Sequence, residues 1–366
     1  MAWLTMLIKP ASSLCNLRCA YCFYEDVSRN RAQASCGIMS EETQKCLIKR
    51  VFEYADEGVT LAFQGGEPLC AGISFFQRLH TLVEKYNVKN LPVQFTIQTN
   101  GTLFDEEWLM LLKEHRYLVG VSLDGVARTH DAYRRDAVGA PTHARVMDGI
   151  RLLQRRGIDF NILTVVNRRT AQSIDEIYTF YRQNGFAFQQ YIACLDPLDG
   201  TRENHALSPR LYGQFLCRLF DLWYRDFLLQ RNPIIRQFEN WIALAAGLRA
   251  ESCDQTGRCT LQCVIEANGD MYPCDFFTTD EFRLGNLEAD DISTLLSNAQ
   301  ARDFLEHNEN RDEECLGCRY FDLCRGGCAR NRLEGKNHFC ESYRQFFSYA
   351  GPRIRDIAEQ IRKIHF

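Results

Sequence analysis

The sequence predicts an open, partial (β/α)6 barrel of the TIM type, followed by a smaller cysteine-rich domain. Three observations carry this. Apolar or β-branched runs alternate with amphipathic helical patterns six times over the first two thirds of the chain. Six units imply a parallel sheet, because each crossover needs a helix, yet they fall short of the eight that close a barrel. From about Gly247 the texture changes: cysteines become dense and turn residues cluster at Asn268-Gly269-Asp270 and Arg325-Gly326-Gly327. The expected division is residues 1–235 for the barrel and 236–366 for the cysteine-rich domain with a closing helix.

Strands are predicted at 5–8, 60–63, 93–99, 118–123, 160–166 and 187–192. Helices are predicted at 41–54, 74–86, 105–114, 143–156 and 174–183. Ser40 with Thr43, and Asp105 with Trp108, have the spacing of capped helix starts, and Asn184-Gly185 is a helix stop. A further helix over 211–229, containing LFDLWYRDFLL, caps the last unit, and a helix through 352–365 closes the chain.

An apolar fraction of 46% with 25% charged residues is that of a globular protein with a sizeable core. A net charge of −4 gives no reason to expect a nucleic-acid or membrane partner, and there is no basic aromatic stripe. The pairs Arg155-Arg156 and Arg168-Arg169 read as solvated faces. The opening MAWLTMLIKPASSLC lacks the basic n-region and long apolar stretch of a secretory signal, and no run reaches the roughly 18 apolar residues of a membrane span. With 17 cysteines and no signal, the chain points to a cytoplasmic setting and to metal or redox chemistry rather than disulfides.

The unusual motifs fall where the strands end, which is where parallel α/β folds place ligands. CNLRCAYC follows strand one, QGGEP follows strand two and QTNG ends strand three. SLDG ends strand four and CLDP follows strand six. The cluster Cys15, Cys19 and Cys22 stops at three thiols, whereas a closed structural site takes four ligands. Either a distant residue completes a zinc site, or one coordination position stays open.

The C-x3-C-x2-C spacing, with an aromatic before the last cysteine, resembles the signature of radical S-adenosylmethionine (SAM) enzymes. Three thiolates then hold three corners of a [4Fe–4S] cube, and the resemblance assigns the open iron to SAM. GGEP resembles the element that receives the SAM amino group; its glycines let backbone approach a ligand closely.

The tail resembles the SPASM domain, which carries two auxiliary [4Fe–4S] clusters. Eight of its nine cysteines, leaving out Cys263, suffice for two saturated clusters. The resemblance assigns Cys253, Cys259, Cys274 and Cys328 to the first and Cys315, Cys318, Cys324 and Cys340 to the second. With the open cluster this makes three. A pair of four-cysteine zinc sites has the same spacing and remains an alternative. Cys36, Cys46, Cys70, Cys194, Cys217 and Cys263 read as buried small apolar residues.

Within that superfamily the chain resembles the anaerobic sulfatase-maturating enzymes through LIKPASS, FQGGEP, QTNGTL, LVGVSLDG, FNILTVV, CLDPL, LFDLWY, MYPCDFF and RLGN. These oxidise the β-carbon of one cysteine or serine in a sulfatase to formylglycine, after hydrogen abstraction by a radical derived from SAM. The resemblance implies SAM contacts at Tyr21, Gly66, Ser122, Arg134 and Leu195, and a catalytic base at Asp275. It implies as partners an unfolded or nascent sulfatase bearing Cys/Ser-x-Pro/Ala-x-Arg, and a reducing donor such as flavodoxin or ferredoxin. Asp275 next to Cys274 also fits a plain turn cap. Cys70 and Cys263 depart lightly from the family pattern.

Two rivals make different predictions. A SPASM enzyme that cross-links another ribosomal peptide often carries a recognition domain before the barrel, for which residues 1–8 leave no room. A non-catalytic iron–sulfur or zinc protein predicts no SAM cleavage.

Overall fold

A computed structural model describes residues 3–201, 204–231 and 233–365, with side chains as far as 363. Its principal strands in chain order are β1 (Trp3–Ile8), β2 (Gly58–Phe63), β3 (Val93–Thr99), β4 (Leu118–Ser122), β5 (Phe160–Val166), β6 (Phe188–Ala193), β7 (Ile234–Ile235), β8 (Val264–Ile265), β9 (Asp270–Tyr272) and β10 (Gly285–Asn286). The chain forms two compact units. One comprises residues 1–122, 134–160 and 260–305; the other comprises 123–133, 161–259 and 306–366.

In the first unit β1, β2, β3 and β4 run parallel, with Ile8 opposite Phe63 and Thr99 opposite Val121. The crossovers are the helices Glu41–Tyr54, Ile73–Tyr86 and Glu106–Glu114. Two of their starts are fixed as the spacing predicts: the Ser40 hydroxyl accepts from Thr43 N at 3.0 Å and the Asp105 carboxylate from Trp108 N at 2.9 Å. Phe63 meets Phe76, which packs edge-on against Phe75 and Trp108, and the alternate strand residue Leu61 is buried, as is Leu79. On the other edge of β1 lies a piece of chain from far downstream. β8 pairs parallel with it, Leu7 opposite Val264, and β9 and β10 follow antiparallel.

In the second unit β5, β6 and β7 are parallel neighbours. The helix Pro209–Leu228 packs along the closing helix Cys340–His365, joined by rings of Phe220, Trp223, Phe238, Trp241 and Phe346. The closing helix corrects the expectation that it starts at 352. It begins at Cys340 and runs through Pro352. Proline loses only one backbone donor there, and packing against a neighbouring helix outweighs that loss. Tyr349 and Arg353 on this helix both reach Asp221, at 2.7 and 2.9 Å. Among the described residues no helix is long and apolar enough to cross a membrane.

Candidate iron–sulfur and substrate site

The three-cysteine loop is built onto the ends of three strands in the first unit. Gly66 N donates to Ser12 O at 2.9 Å and Glu67 N to Leu14 O at 2.8 Å, so the glycine turn after β2 lies directly on the loop after β1. A Cβ at Gly66 would stand 2.2 Å from the Leu14 carbonyl oxygen, which only glycine avoids. Glu67 is buried and turns inward: Oε1 accepts from Thr99 Oγ1 at 2.7 Å and Leu69 N at 3.1 Å, and Oε2 from Asn100 N at 2.7 Å. Burial still raises its pKa to about 7 against those three donors. Asn100 bonds Asn16 at 2.8 Å, tying the end of β3 to the cysteine loop.

The loop's other side rests on residues 134–136. Arg18 N donates to Arg135 O at 2.7 Å, and the Arg134 guanidinium lies 3.9 Å from Cys19 Sγ and 5.4 Å from the centre of the Tyr21 ring. Ser122, at the end of β4, accepts from Gln98 at 3.1 Å. Burial pushes the Cys15 thiol up to about 12 and raises that of Cys22. Such thiols ionise when a metal replaces the missing solvation, so the donor set fits a cationic iron cluster.

Asp275 comes from the downstream segment of the same unit and is buried. Its Oδ2 accepts from Tyr24 OH at 2.6 Å and Gln64 Nε2 at 3.0 Å, while Gln64 also bonds Tyr24 at 2.7 Å. Its Oδ1 faces Lys9 Nζ at 3.1 Å; the approach is an ion pair without hydrogen-bond alignment, which leaves Oδ1 as an acceptor with capacity to spare. Lys9 is itself buried, bonds Thr278 at 3.2 Å and lies 5.0 Å above the Tyr24 ring. Tyr24 has its pKa driven well up by burial and then by Asp275, so it stays a donor. This carboxylate is not a turn cap, because both bonds to it come from side chains.

In the second unit the tail cysteines gather into groups. Cys315, Cys318, Cys324 and Cys340 line one small cavity with Tyr343 and Phe347. Cys253, Cys259 and Cys328 lie close enough that their charges act on one another. Cys274 belongs to the first unit and Leu195 to the second, where Leu195 O accepts from the Cys194 thiol at 3.7 Å. Among the described residues no three cysteine, histidine or carboxylate groups converge as a single ion requires.

A family model of the radical SAM superfamily matches residues 10–181, and one of an iron–sulfur cluster-binding domain, SPASM, matches residues 253–319. The chain is 43% identical over 366 residues to the cysteine-type anaerobic sulfatase-maturating enzyme of Clostridium novyi, covering 98% of each. The chain belongs to the anaerobic sulfatase-maturating enzymes. A serine-type sulfatase-maturating enzyme from Bacteroides thetaiotaomicron is 29% identical, over 95% of this chain and 90% of that one. The solved structure of native anSMEcpe with bound AdoMet and Kp18Cys peptide superposes with a TM-score of 0.94 at 40% identity, covering 98% of this chain and all of that one. The fold of this sulfatase-maturating enzyme is therefore the partial radical SAM barrel with a SPASM extension.

Lys9, Tyr24 and Gln64 escaped the sequence reading. LIKP and FQGG were noted as family strings, but nothing local marks these side chains as partners of a residue more than 200 positions away. The expectation of six buried spare cysteines also needs correction. Only Cys194 and Cys263 are buried; Cys36, Cys46, Cys70 and Cys217 are half-buried. Two have polar partners that explain this: Cys46 donates to Leu287 O at 3.3 Å, and Arg31 approaches Cys36 at 3.9 Å.

Proposed function

We propose that this enzyme oxidises the β-carbon of a cysteine in an unfolded or nascent sulfatase, within a Cys-x-Pro/Ala-x-Arg motif, to formylglycine. The observation that carries this is the Asp275 carboxylate, buried among Lys9, Tyr24 and Gln64 on the strand ends that also carry the three-cysteine loop. Cysteine is favoured over serine because the cysteine-type relatives are 41–43% identical and the serine-type 29%.

In this reading Cys15, Cys19 and Cys22 hold an open [4Fe–4S] cluster. Eight of the nine tail cysteines, grouped as Cys253, Cys259, Cys274 and Cys328 and as Cys315, Cys318, Cys324 and Cys340, hold two more. Tyr21, Gly66, Ser122, Arg134 and Leu195 contact SAM. When bound, cluster and SAM together supply the group that takes a hydrogen atom from the substrate Cβ. The chain supplies the rest. Residues 1–235 position substrate and exclude water, and 236–366 carry the auxiliary sites. Asp275 takes the thiol proton through Oδ1, while Tyr24 and Gln64 hold Oδ2 and Lys9 compensates the charge. A thioaldehyde so formed hydrolyses to the aldehyde. Electrons come from a small donor such as flavodoxin or ferredoxin, in the cytoplasm.

The test is anaerobic turnover of a Cys-x-Pro-x-Arg peptide beside its serine analogue, followed by mass spectrometry of peptide and 5′-deoxyadenosine. Aldehyde matched by deoxyadenosine, faster on cysteine, is expected. Deoxyadenosine with both peptides unchanged would assign the enzyme another substrate.

A further inference from the structure

Two arginines in the second unit converge on the turn that links two groups of cysteines. Arg311 Nη1 donates to the carbonyls of Asn308 and Asn310 at 2.8 and 2.9 Å, Nη2 to that of Gly257, and Nε lies 3.5 Å from that of Arg325. Arg332 Nη1 donates to the same Asn308 carbonyl at 2.8 Å, its Nε to Gly326 O at 3.1 Å and its Nη2 to Gly327 O. The turn Arg325-Gly326-Gly327 joins Cys324 of one group to Cys328 of the other. Gly257 stands just ahead of Cys259, and Arg311 just ahead of Cys315. The seat is tightly shaped: a Cβ at Gly326 would come 2.8 Å from Arg311 Nε.

The charges are what need explaining. Two guanidinium groups share one carbonyl oxygen, both are half-buried, and among the described residues neither closes a salt bridge with a carboxylate. Glu309 is near enough for Arg311 to feel, but so is Arg258 with the opposite effect. Like charges brought together away from water are unfavourable unless negative charge lies beside them. The groups near enough to act on both arginines once ionised are thiols: Cys259 and Cys315 for Arg311, and Cys259, Cys328 and Cys315 for Arg332.

We propose that Arg311 and Arg332 are positioning residues of charge, which raise the reduction potentials of the two auxiliary clusters and so make them acceptors for the electron that substrate oxidation releases. The proposal rests on the reading of the tail cysteines as two four-thiolate clusters. Such a cluster is an anion before reduction and gains a further negative charge on reduction, so fixed cations favour the reduced form. The step balances: after a hydrogen atom has left Cβ, the substrate gives up one electron to the cluster and its thiol proton to Asp275, and the carbon–sulfur bond becomes double. Other candidates for the arginines are only scaffolding, since each also ties loop carbonyls together.

The test uses the full chain carrying Cys15→Ala, Cys19→Ala and Cys22→Ala, in which only auxiliary clusters remain. Iron analysis comes first. About eight irons per chain uphold the two-cluster reading, and fewer than that in this parent would refute that reading rather than the role of the arginines. Anaerobic redox titrations followed by electron paramagnetic resonance then compare the parent with Arg311→Gln, Arg332→Gln, Arg311→Lys and Arg332→Lys. The glutamine variants are expected to keep their iron while their equilibrium constants for cluster reduction fall tenfold or more, about 59 mV per tenfold. The lysine variants keep the charge and are expected to stay near the parent. Potentials unchanged by glutamine, or lowered equally by lysine, overturn the proposal. Iron lost in the glutamine variants but kept with lysine would show that the charge holds the clusters rather than setting their potential, and would overturn it as well.

Discussion

Replacing Lys9 with methionine removes a buried ammonium while keeping a stem of similar length. At 3.1 Å the attraction between Lys9 and Asp275 is about 5 kcal/mol for an effective dielectric of about 20. Desolvation of both groups offsets much of that, so the pair itself adds little net stability. Removing one partner is different, because it strands the other charge and typically costs 3–5 kcal/mol. Tyr24 and Gln64 still hold Oδ2, which puts Lys9→Met near the lower end, about 3 kcal/mol. For a unit of this size that is about 6–12 °C in melting temperature. Anaerobic thermal melts of the reconstituted enzyme measure it, with Asp275→Asn and the double variant Lys9→Met/Asp275→Asn alongside. With neither charge left, the double variant is expected to regain most of the loss. A double variant that melts at or below Lys9→Met alone would refute this reasoning. Lys9 would then act through its stem, which packs so closely on Gly65 that a Cβ there would lie 2.9 Å from Lys9 Cγ.

Other outcomes follow from the same geometry. Gly66→Ala drives a methyl into the Leu14 carbonyl and is expected to lose the N-terminal cluster alone, about four of twelve irons, as iron analysis would show. Asp275→Asn keeps all its iron and still cleaves SAM but makes little aldehyde; full product from that variant would remove Asp275 from the chemistry. Cys263→Ser leaves iron content unchanged, since the buried Cys263 thiol is surplus to the eight. His80, stacked on His115 at 3.3 Å, has its pKa lowered to about 3 by burial and then by His115. Its neutral form therefore supports the fold above pH ~6.5, and that support is lost as pH falls toward 3. His80→Gln should flatten the acid side of a stability–pH curve over that window.

The parts legible in the sequence are those with period or punctuation. β3, β5 and the helices Glu41–Tyr54, His143–Arg156 and Ile174–Gln183 match their predicted bounds because each spans several repeats of its own periodicity. The cysteine loop stands out in the sequence because three thiols fall within eight residues, from Cys15 to Cys22. β7, β8, β9 and β10 were not, since strands of two or three residues show no alternation. The surroundings of Asp275 were hidden for another reason: its partners are polar residues in ordinary strings, brought together only by the pairing of β8 with β1. Cys340–His365 was cut short in the reading because a proline inside a helical pattern is normally a start or a stop.

That pairing of β8 with β1 sets an order of events during synthesis. At about 5–20 residues per second, roughly ten to fifty seconds separate the emergence of β1 from that of β8. Through that interval one edge of β1 has no neighbour, the hazard that natural sheets otherwise cover. Lys9, meanwhile, has no counter-charge. The nascent chain thus holds its cysteine loop well before it holds Asp275, and the Lys9–Asp275 pair can close only once β8 and the residues after it have emerged. A chain that stalls in between carries an open strand edge, the kind of surface on which chains pair with one another.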